Sequence, residues 1–354
     1  MSRRNFRRSV RKARAYSPAT WVTALARTLL PLLVMAYWFA GWATGSYPLQ
    51  WSFPFVTYEN SAQITPGNGF SFPEHGIAYT ETAPAWVTAA IKDNAFEVEI
   101  EARPYNAHQR GPARLFTLSL DHLNRNFTIA QASGSDLVIR LRTSFTGANG
   151  TPGYRFKKAL RDLESHRIAV RVASERIRIA LDGRQLMVAK LPSDALSTWN
   201  PRYRLALGNE LTFSNPWQGE ISRAIVRVRN TQITYAPTTN LRAPQTYVIG
   251  LQPYVQKLIA SVSYPFHQLS LRNLVLNLVG FLPFGLLLAF SAREPMALPA
   301  AGTWCALMSL SIEAGQLFLD GRYPSVVDLI LNTIGGCGGA WIGNRMRILS
   351  TDSR

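Results

Sequence analysis

Six polar side chains interrupt the apolar C-terminal part of the sequence: Asn277, Glu313, Gln316, Arg322, Asp328 and Asn332. Ionisable groups inside a bilayer cost free energy and are retained mainly where they pair or do chemistry. Glu313 and Gln316 stand three residues apart, Asp328 and Asn332 four, so each pair falls on one helix face. At a helical rise of ~1.5 Å per residue, Asn277 and Glu313 lie ~9 Å, and Asn332 ~10 Å, inward from the outer ends of their segments. The set can therefore converge at one level, capped by Arg322. Such a pocket suits a phosphate or carboxylate headgroup, which a guanidinium binds bidentately. Glu313 or Asp328 would act there as a base or contact a sugar hydroxyl. The competing reading is structural, because the same groups can bond one another and fix helix packing. No residue is assigned as catalytic on this pattern.

A second carboxylate set lies in FEVEIE at 96–101, where Glu97, Glu99 and Glu101 share one strand face. Glycoside hydrolysis needs two carboxyls about 5–9.5 Å apart in different protonation states. The opposite face, Phe96, Val98 and Ile100, is that of an ordinary half-buried strand, and three glutamates are what its solvated face holds. The histidines, His75, His108, His122, His166 and His267, show no metal-ligand spacing and read as surface or loop residues. Cys305 and Cys337 fall in apolar stretches and read as small buried residues rather than a redox pair. No disulfide framework is available to the middle of the chain.

Helices must present the six C-terminal groups. The expected spans are 21–44, 271–291, 296–319 and 325–343, the last three joined by short connections that make them antiparallel neighbours. The first needs its extension back to Trp21 to approach the ~20 residues that a bilayer core takes. Arg27 would then snorkel toward the headgroups. Ala43, Thr44 and Gly45 could also serve as a signal-peptide cleavage site. The cluster Tyr37, Trp38, Phe39 and Trp42 instead favours an anchor with an aromatic interfacial belt. Pro283 is expected to kink the second span and free a carbonyl, and the glycines at 335–339 to form a close-packing surface.

The formal charge of +17 is uneven. Seven of the first fourteen residues are basic, and no acidic residue precedes Glu59. Beside an apolar segment, such an arm at 1–20 marks the cytoplasmic side and is drawn to anionic membrane lipid. Between 45 and 240 there are 22 basic and 16 acidic residues, an ordinary soluble surface, so nucleic acid is not an expected partner. The positive-inside rule then places both termini in the cytoplasm and 45–270 outside, with Arg345, Arg347 and Arg354 in a cytoplasmic tail at 344–354. Within the linker 236–270, the stretch 247–266 reads as an amphipathic interfacial helix rather than a span.

Residues 45–235 carry short alternating runs at 96–101, 137–142, 168–172, 177–181 and 224–229, with Asp182-Gly183 as a hairpin turn. Many short strands and no long helical pattern indicate a two-sheet sandwich. The runs ARLFTLS at 113–119, NFTIAQ at 126–131, LDGR at 181–184, LGNE at 207–210 and PWQGE at 216–220 resemble laminin-G-like, concanavalin A-like jelly-roll domains. That resemblance implies a jelly roll and suggests glycan binding, although the family also binds proteins. Such domains often bind Ca2+, for which the sequence places no site; no other cofactor is expected.

The polar set carries a second resemblance. Asn277 with Phe281, Pro283 and Gly285, then Glu313, Gln316, Arg322, Asp328, Asn332, Gly335 and Gly336, is similar to the VanZ-like family, over roughly residues 270–343. The family is named for a protein linked to teicoplanin resistance and implies a cell-envelope role without a defined reaction. The expected protein is thus mixed: an all-β jelly-roll ectodomain on an α-helical bundle of four spans, in a bacterial cytoplasmic (inner) membrane. Its expected partners are membrane lipid, an envelope glycan or glycolipid, and an envelope protein. A non-catalytic membrane-anchored scaffold or lectin and an envelope glycan-modifying enzyme remain the alternatives.

Overall fold

The computed structural model describes residues 18–43, 51–109, 111–132, 134–237, 240–263, 271–319 and 322–352. The basic arm, positions 44 and 45 of the cleavage site, and His267 lie outside the described residues. Two compact units divide the chain, Met1–Trp51 with Tyr254–Arg354, and Ser52–Pro253. The helices among the described residues are α1 (Pro18–Ala43), α2 (Trp86–Asp93), α3 (Gln252–Ser263), α4 (Leu271–Gly280), α5 (Leu282–Ser291), α6 (Leu298–Leu317) and α7 (Val326–Asp352).

The unit Ser52–Pro253 is a sandwich of two antiparallel sheets. The larger runs in the order Arg184–Lys190, Arg176–Leu181, His166–Ala173, Phe96–Pro104, Gly219–Val228, Phe70–Phe72, Gln63–Ile64, with Thr231–Tyr235 also paired to Gly219–Val228. The smaller runs Ala78–Tyr79, Arg204–Leu207, Ala113–Ser119, Arg125–Ala132, Asp136–Leu141, Tyr154–Phe156. Each alternating run of the sequence lies in one of these strands. Period-two polarity turns Val98, Ile100, Ile168, Val170, Ile177, Ile179 and Val226 into the core, where they meet Phe116, Leu118, Phe127, Ile129 and Ile139. Asp182 and Gly183 both have positive φ, 51° and 79°, as the two-residue turn joining 176–181 to 184–190 requires. Gly219 is fixed by Trp217: a Cβ there would stand 2.3 Å from the indole ring. Thr246–Val248 pairs with Thr57–Glu59, which draws the end of this unit on to Pro253.

In the other unit, three segments are long and apolar enough to cross a membrane by length and composition: Trp21–Trp42, Asn273–Ser291 and Val326–Leu349. The expected span at 296–319 does form α6, but its serines, Glu313 and Gln316 keep it out of that set. The segment Asn273–Ser291 is interrupted at Phe281, with Pro283 in the first turn of α5. The carbonyl of Gly280 at this break accepts the Tyr37 hydroxyl from α1, so α1 fills the place that the break opens. α7 continues past Gly343 without a break.

Glycines set the helix spacing here. A Cβ on Gly335 or Gly339 would come within 2.0 Å of the carbonyl oxygens of Leu278 and Leu282, and one on Gly285 within 1.8 Å of that of Gly336. α7 therefore packs backbone to backbone on α4 and α5. Arg27 does not simply snorkel: its Nε donates to the Ser291 carbonyl at 2.9 Å, at the end of α5. Arg347 donates to the carbonyls of Ala289, Ala292, Arg293 and Glu294. Two cations thus satisfy the open C-terminus of α5.

Candidate functional site

The N-terminus of α7 organises the carboxylates of the membrane unit. Ser325 precedes the helix, and its hydroxyl accepts the Asp328 N–H at 3.1 Å. The Asp328 carboxyl in turn bonds the Ser325 side chain. Ser325 is thus the N-cap of α7, and Asp328 reaches only its hydroxyl, not the backbone N–H that would close a capping box. Glu313, 6% exposed on α6, accepts the Ser325 N–H through Oε2 at 2.7 Å. Glu313, Asp328 and Arg322 are mutual electrostatic neighbours. Arg322 and Gln316 both donate to the Gly41 carbonyl of α1, at 3.4 and 3.1 Å. One turn deeper, Asn332 donates to Ser309 Oγ at 2.9 Å. Ser309 and Glu313 are four residues apart on α6, as are Asp328 and Asn332 on α7, so two polar rungs join the helices. Among the described residues, two acceptors in them have no hydrogen-bond donor: Oε1 of Glu313, whose Oε2 is engaged, and the buried Oδ1 of Asn332. Asn277 is half-buried on α4 and makes no side-chain hydrogen bond among the described residues.

This geometry lies in a segment that matches a family model. Residues 211–347 match the VanZ/LLP1 model. The match begins well upstream of residue 270, taking in the closing strand Gly219–Val228 of the sandwich and the connection into the helices. No curated protein matches the chain. Among solved structures, the sandwich is similar to the CBM40 domain of the Ruminococcus gnavus IT-sialidase, at 15% identity and a TM-score of 0.35 over 50% of this chain and 94% of that one. It is similar to the binding domain of botulinum neurotoxin DC, crystallised with rat synaptotagmin II, at 12% identity and a TM-score of 0.36 over 53% and 45% of the two chains. It is also similar to the leech intramolecular trans-sialidase, at 13% identity and a TM-score of 0.34 over 50% and 26%. The ligands in those titles are properties of those proteins.

Polar partners that the sequence alone did not single out complete this geometry. Ser309 and Ser325 are two, and the capping spacing of Ser325 with Asp328 was the available signal. Lys257 is the third. It lies in the stretch 247–266 that reads as an interfacial helix, yet it is 2% exposed and donates Nζ to the carbonyls of Leu317 and Leu319 at 2.8 and 3.0 Å. Tyr254 and Tyr323 flank the ammonium, each ring centroid 6.0 Å away. α3 thereby caps the C-terminus of α6 beside the turn that carries Arg322.

In the sandwich, Glu97 and Glu99 are not free carboxylates on a solvated face. Arg227 Nη1 contacts Glu97 at 2.7 Å and Glu99 at 3.1 Å, and Arg167 reaches Glu99 at 2.9 Å. Glu99 is buried, because arginines from both neighbouring strands close over it. Burial raises its carboxyl, but the hydrogen bonds from Arg167 and Arg227 outweigh this and hold it below the usual range. A general acid needs the opposite shift. His166 also departs from expectation. It is buried in a strand, with Nδ1 2.8 Å from Asp182 and Nε2 2.7 Å from Asp162. No group of three or more His, Cys, Asp or Glu able to hold a metal occurs among the described residues. A cleft of about 640 Å³ beside α2 is lined by Thr80, Glu81, Trp86, Tyr235, Asn240 and Arg242.

Proposed function

We propose that this is a bacterial cytoplasmic-membrane protein of the cell envelope, crossing the bilayer four times through α1, α4–α5, α6 and α7. Both termini are then cytoplasmic and the sandwich is extracytoplasmic. The VanZ helices hold the headgroup of a lipid-linked or anionic glycan at Glu313, Asp328 and Arg322, with Gln316, Asn332 and Asn277 around them. The sandwich recognises a saccharide or an envelope protein. One observation carries this reading: two carboxylates and an arginine sit together at the end of apolar helices, with open acceptors on Glu313 and Asn332. Arginine suits a phosphate or carboxylate, and open acceptors suit hydroxyl groups, a combination that a glycolipid headgroup supplies. The cleft beside α2 supports saccharide binding by the sandwich, since its polar lining of Thr80, Glu81, Asn240 and Arg242 can meet sugar hydroxyls. A role in teicoplanin resistance belongs to the same reading.

The test is binding of undecaprenyl-type glycolipids to the purified protein. Glu313→Gln and Arg322→Ala should each weaken binding about ten-fold or more, the size expected for a lost charge-assisted hydrogen bond. Unchanged binding in both variants would defeat the pocket.

The capping geometry favours a second reading. Glu313 and Asp328 stabilise the N-terminus of α7 in any case, so the helices can act as an anchor for a non-catalytic scaffold or lectin. The two readings separate cleanly. Under the second, Glu313→Gln lowers thermal stability and leaves glycolipid binding alone, and function follows the sandwich surface. A glycan-modifying enzyme working through Glu97, Glu99 and Glu101 is disfavoured by the arginine partners of Glu97 and Glu99.

A further inference from the structure

The strands Ala113–Ser119 and Arg125–Ala132 are buried at every residue, on both faces. Their outward face, away from the apolar core, is polar. Two register shifts between them, at Arg114/Phe116 and Leu118/Ser119, break the simple alternation. Arg125 shares the parity of Phe127 and Ile129, yet the second shift sets it opposite Ser119, on the outward face with Arg114 and Thr117. There Glu210 is gripped from two sides, by Arg114 Nε at 3.0 Å and by the Ser119 hydroxyl.

Arg125 is left over. It is 1% exposed, and its Nε and Nη1 have no hydrogen-bond partner. Asp121, the other buried carboxylate nearby, is occupied by the N–H groups of Leu123 and Asn124 and by the Asn124 amide. Glu210 is already held by Arg114 and Ser119. Asn209, its neighbour in the chain, contributes a third buried atom without a partner, the donor Nδ2. All three orphans are donors. A closed site whose unmet groups are all donors, one carrying a full positive charge, lacks an acceptor.

We propose that Arg125, with Asn209 beside the Arg114–Glu210 pair, forms a binding site for a small monovalent anion, chloride or a carboxylate. Burial first, and then the nearby guanidiniums of Arg114 and Arg140, push the Arg125 pKa well below the ordinary arginine value, against the upward pull of Glu210 and Asp121. Three guanidiniums thus stand against two carboxylates, one positive charge in excess. An anion in contact would reverse that push and supply charge-assisted hydrogen bonds. The 142–153 loop closes on the site, with the Arg125 N–H donating to the Ala148 carbonyl at 3.0 Å, so entry requires an anion small enough to pass or a movement of this loop. The inference concerns the sandwich alone and stands or falls independently of the glycolipid reading.

The experiment is chloride NMR on the full chain in detergent, in which chloride bound in slow-tumbling protein broadens the free-ion line. Wild type should broaden the line beyond Arg125→Met, and acetate should compete if a carboxylate is accepted. Arg125→Lys keeps the charge but not the planar fork, and should weaken the effect about ten-fold. Equal broadening in wild type and Arg125→Met would overturn the proposal and assign the donors to internal water. Should Arg125→Met fail to fold, wild type decides the matter: saturable broadening at one site per chain supports the anion site, and a non-saturable response defeats it.

Discussion

His166 shows how much one side chain's surroundings matter. Burial pulls its pKa down, but the bonds to Asp182 and Asp162 outweigh this and the net shift is upward. A raised folded value means that the charged histidine stabilises the folded sandwich. That contribution is complete below the unfolded value of about 6.5 and is lost as pH climbs through the raised folded value. Asp162 is shifted downward by the same bond, so its share is present above the unfolded carboxylate value and fades only in acid. Thermal unfolding of the sandwich should therefore peak in temperature between these limits and decline above neutral pH. His166→Asn should flatten the alkaline decline; an unchanged slope would assign the decline to other groups. At Glu99, replacement by Gln weakens the charge-assisted bonds from Arg227 and Arg167, both of which keep access to water. We expect a loss of about 1 kcal/mol in denaturant unfolding.

At the scale of elements, backbone contact decides the helical unit. Gly339 and Gly338 are adjacent, yet a Cβ on the first would stand 2.0 Å from the Leu282 carbonyl oxygen, and on the second only 3.4 Å from a flexible Leu282 methyl. Gly339→Ala should therefore cost about 1–3 kcal/mol or block assembly, while Gly338→Ala should be close to neutral. Melting temperatures of the two variants in detergent check this, and similar values would refute backbone contact at that level. The cap on α7 is separable from ligand binding. Ser325→Ala removes the acceptor for the Asp328 N–H and should destabilise by about 1 kcal/mol. It leaves the Glu313 carboxyl in place, because Glu313 is bonded to the backbone N–H of Ser325 and not to its hydroxyl.

For the whole molecule, the sidedness of the chain is the quantity most open to test. Phe145, 80% exposed on the sandwich, offers a position for a cysteine that an impermeant thiol reagent can reach. In intact cells Phe145→Cys should label at once, and Arg354→Cys only after permeabilisation. The native thiols give little background, since Cys305 is buried and Cys337 half-buried within helices. The reverse labelling pattern would invert the topology and move the open acceptors of Glu313 and Asn332 to the cytoplasmic side.

Periodicity sufficed for the sandwich, and composition for three of the four expected apolar segments. Alternation in runs such as 168–172 and 177–181 exposes one strand face in two, and a sandwich is the form that buries the rest. The polar set at 277–332 stood out in the sequence because charges among apolar residues are costly wherever they lie. Which side chains meet was a tertiary matter. Glu313 and Asp328 found an N-terminal cap, whereas Asn277 found no hydrogen-bond partner among the described residues, because a helix's rotation about its axis is set by glycine contacts with its neighbours. Lys257 and Arg125 were hidden for related reasons. A lysine in an amphipathic helix reads as solvated until the carbonyls it caps are known, and a bulge of one residue reverses the face that strand parity assigns to an arginine. Local sequence fixes the period of a strand or helix, but register and rotation depend on the partner it packs against.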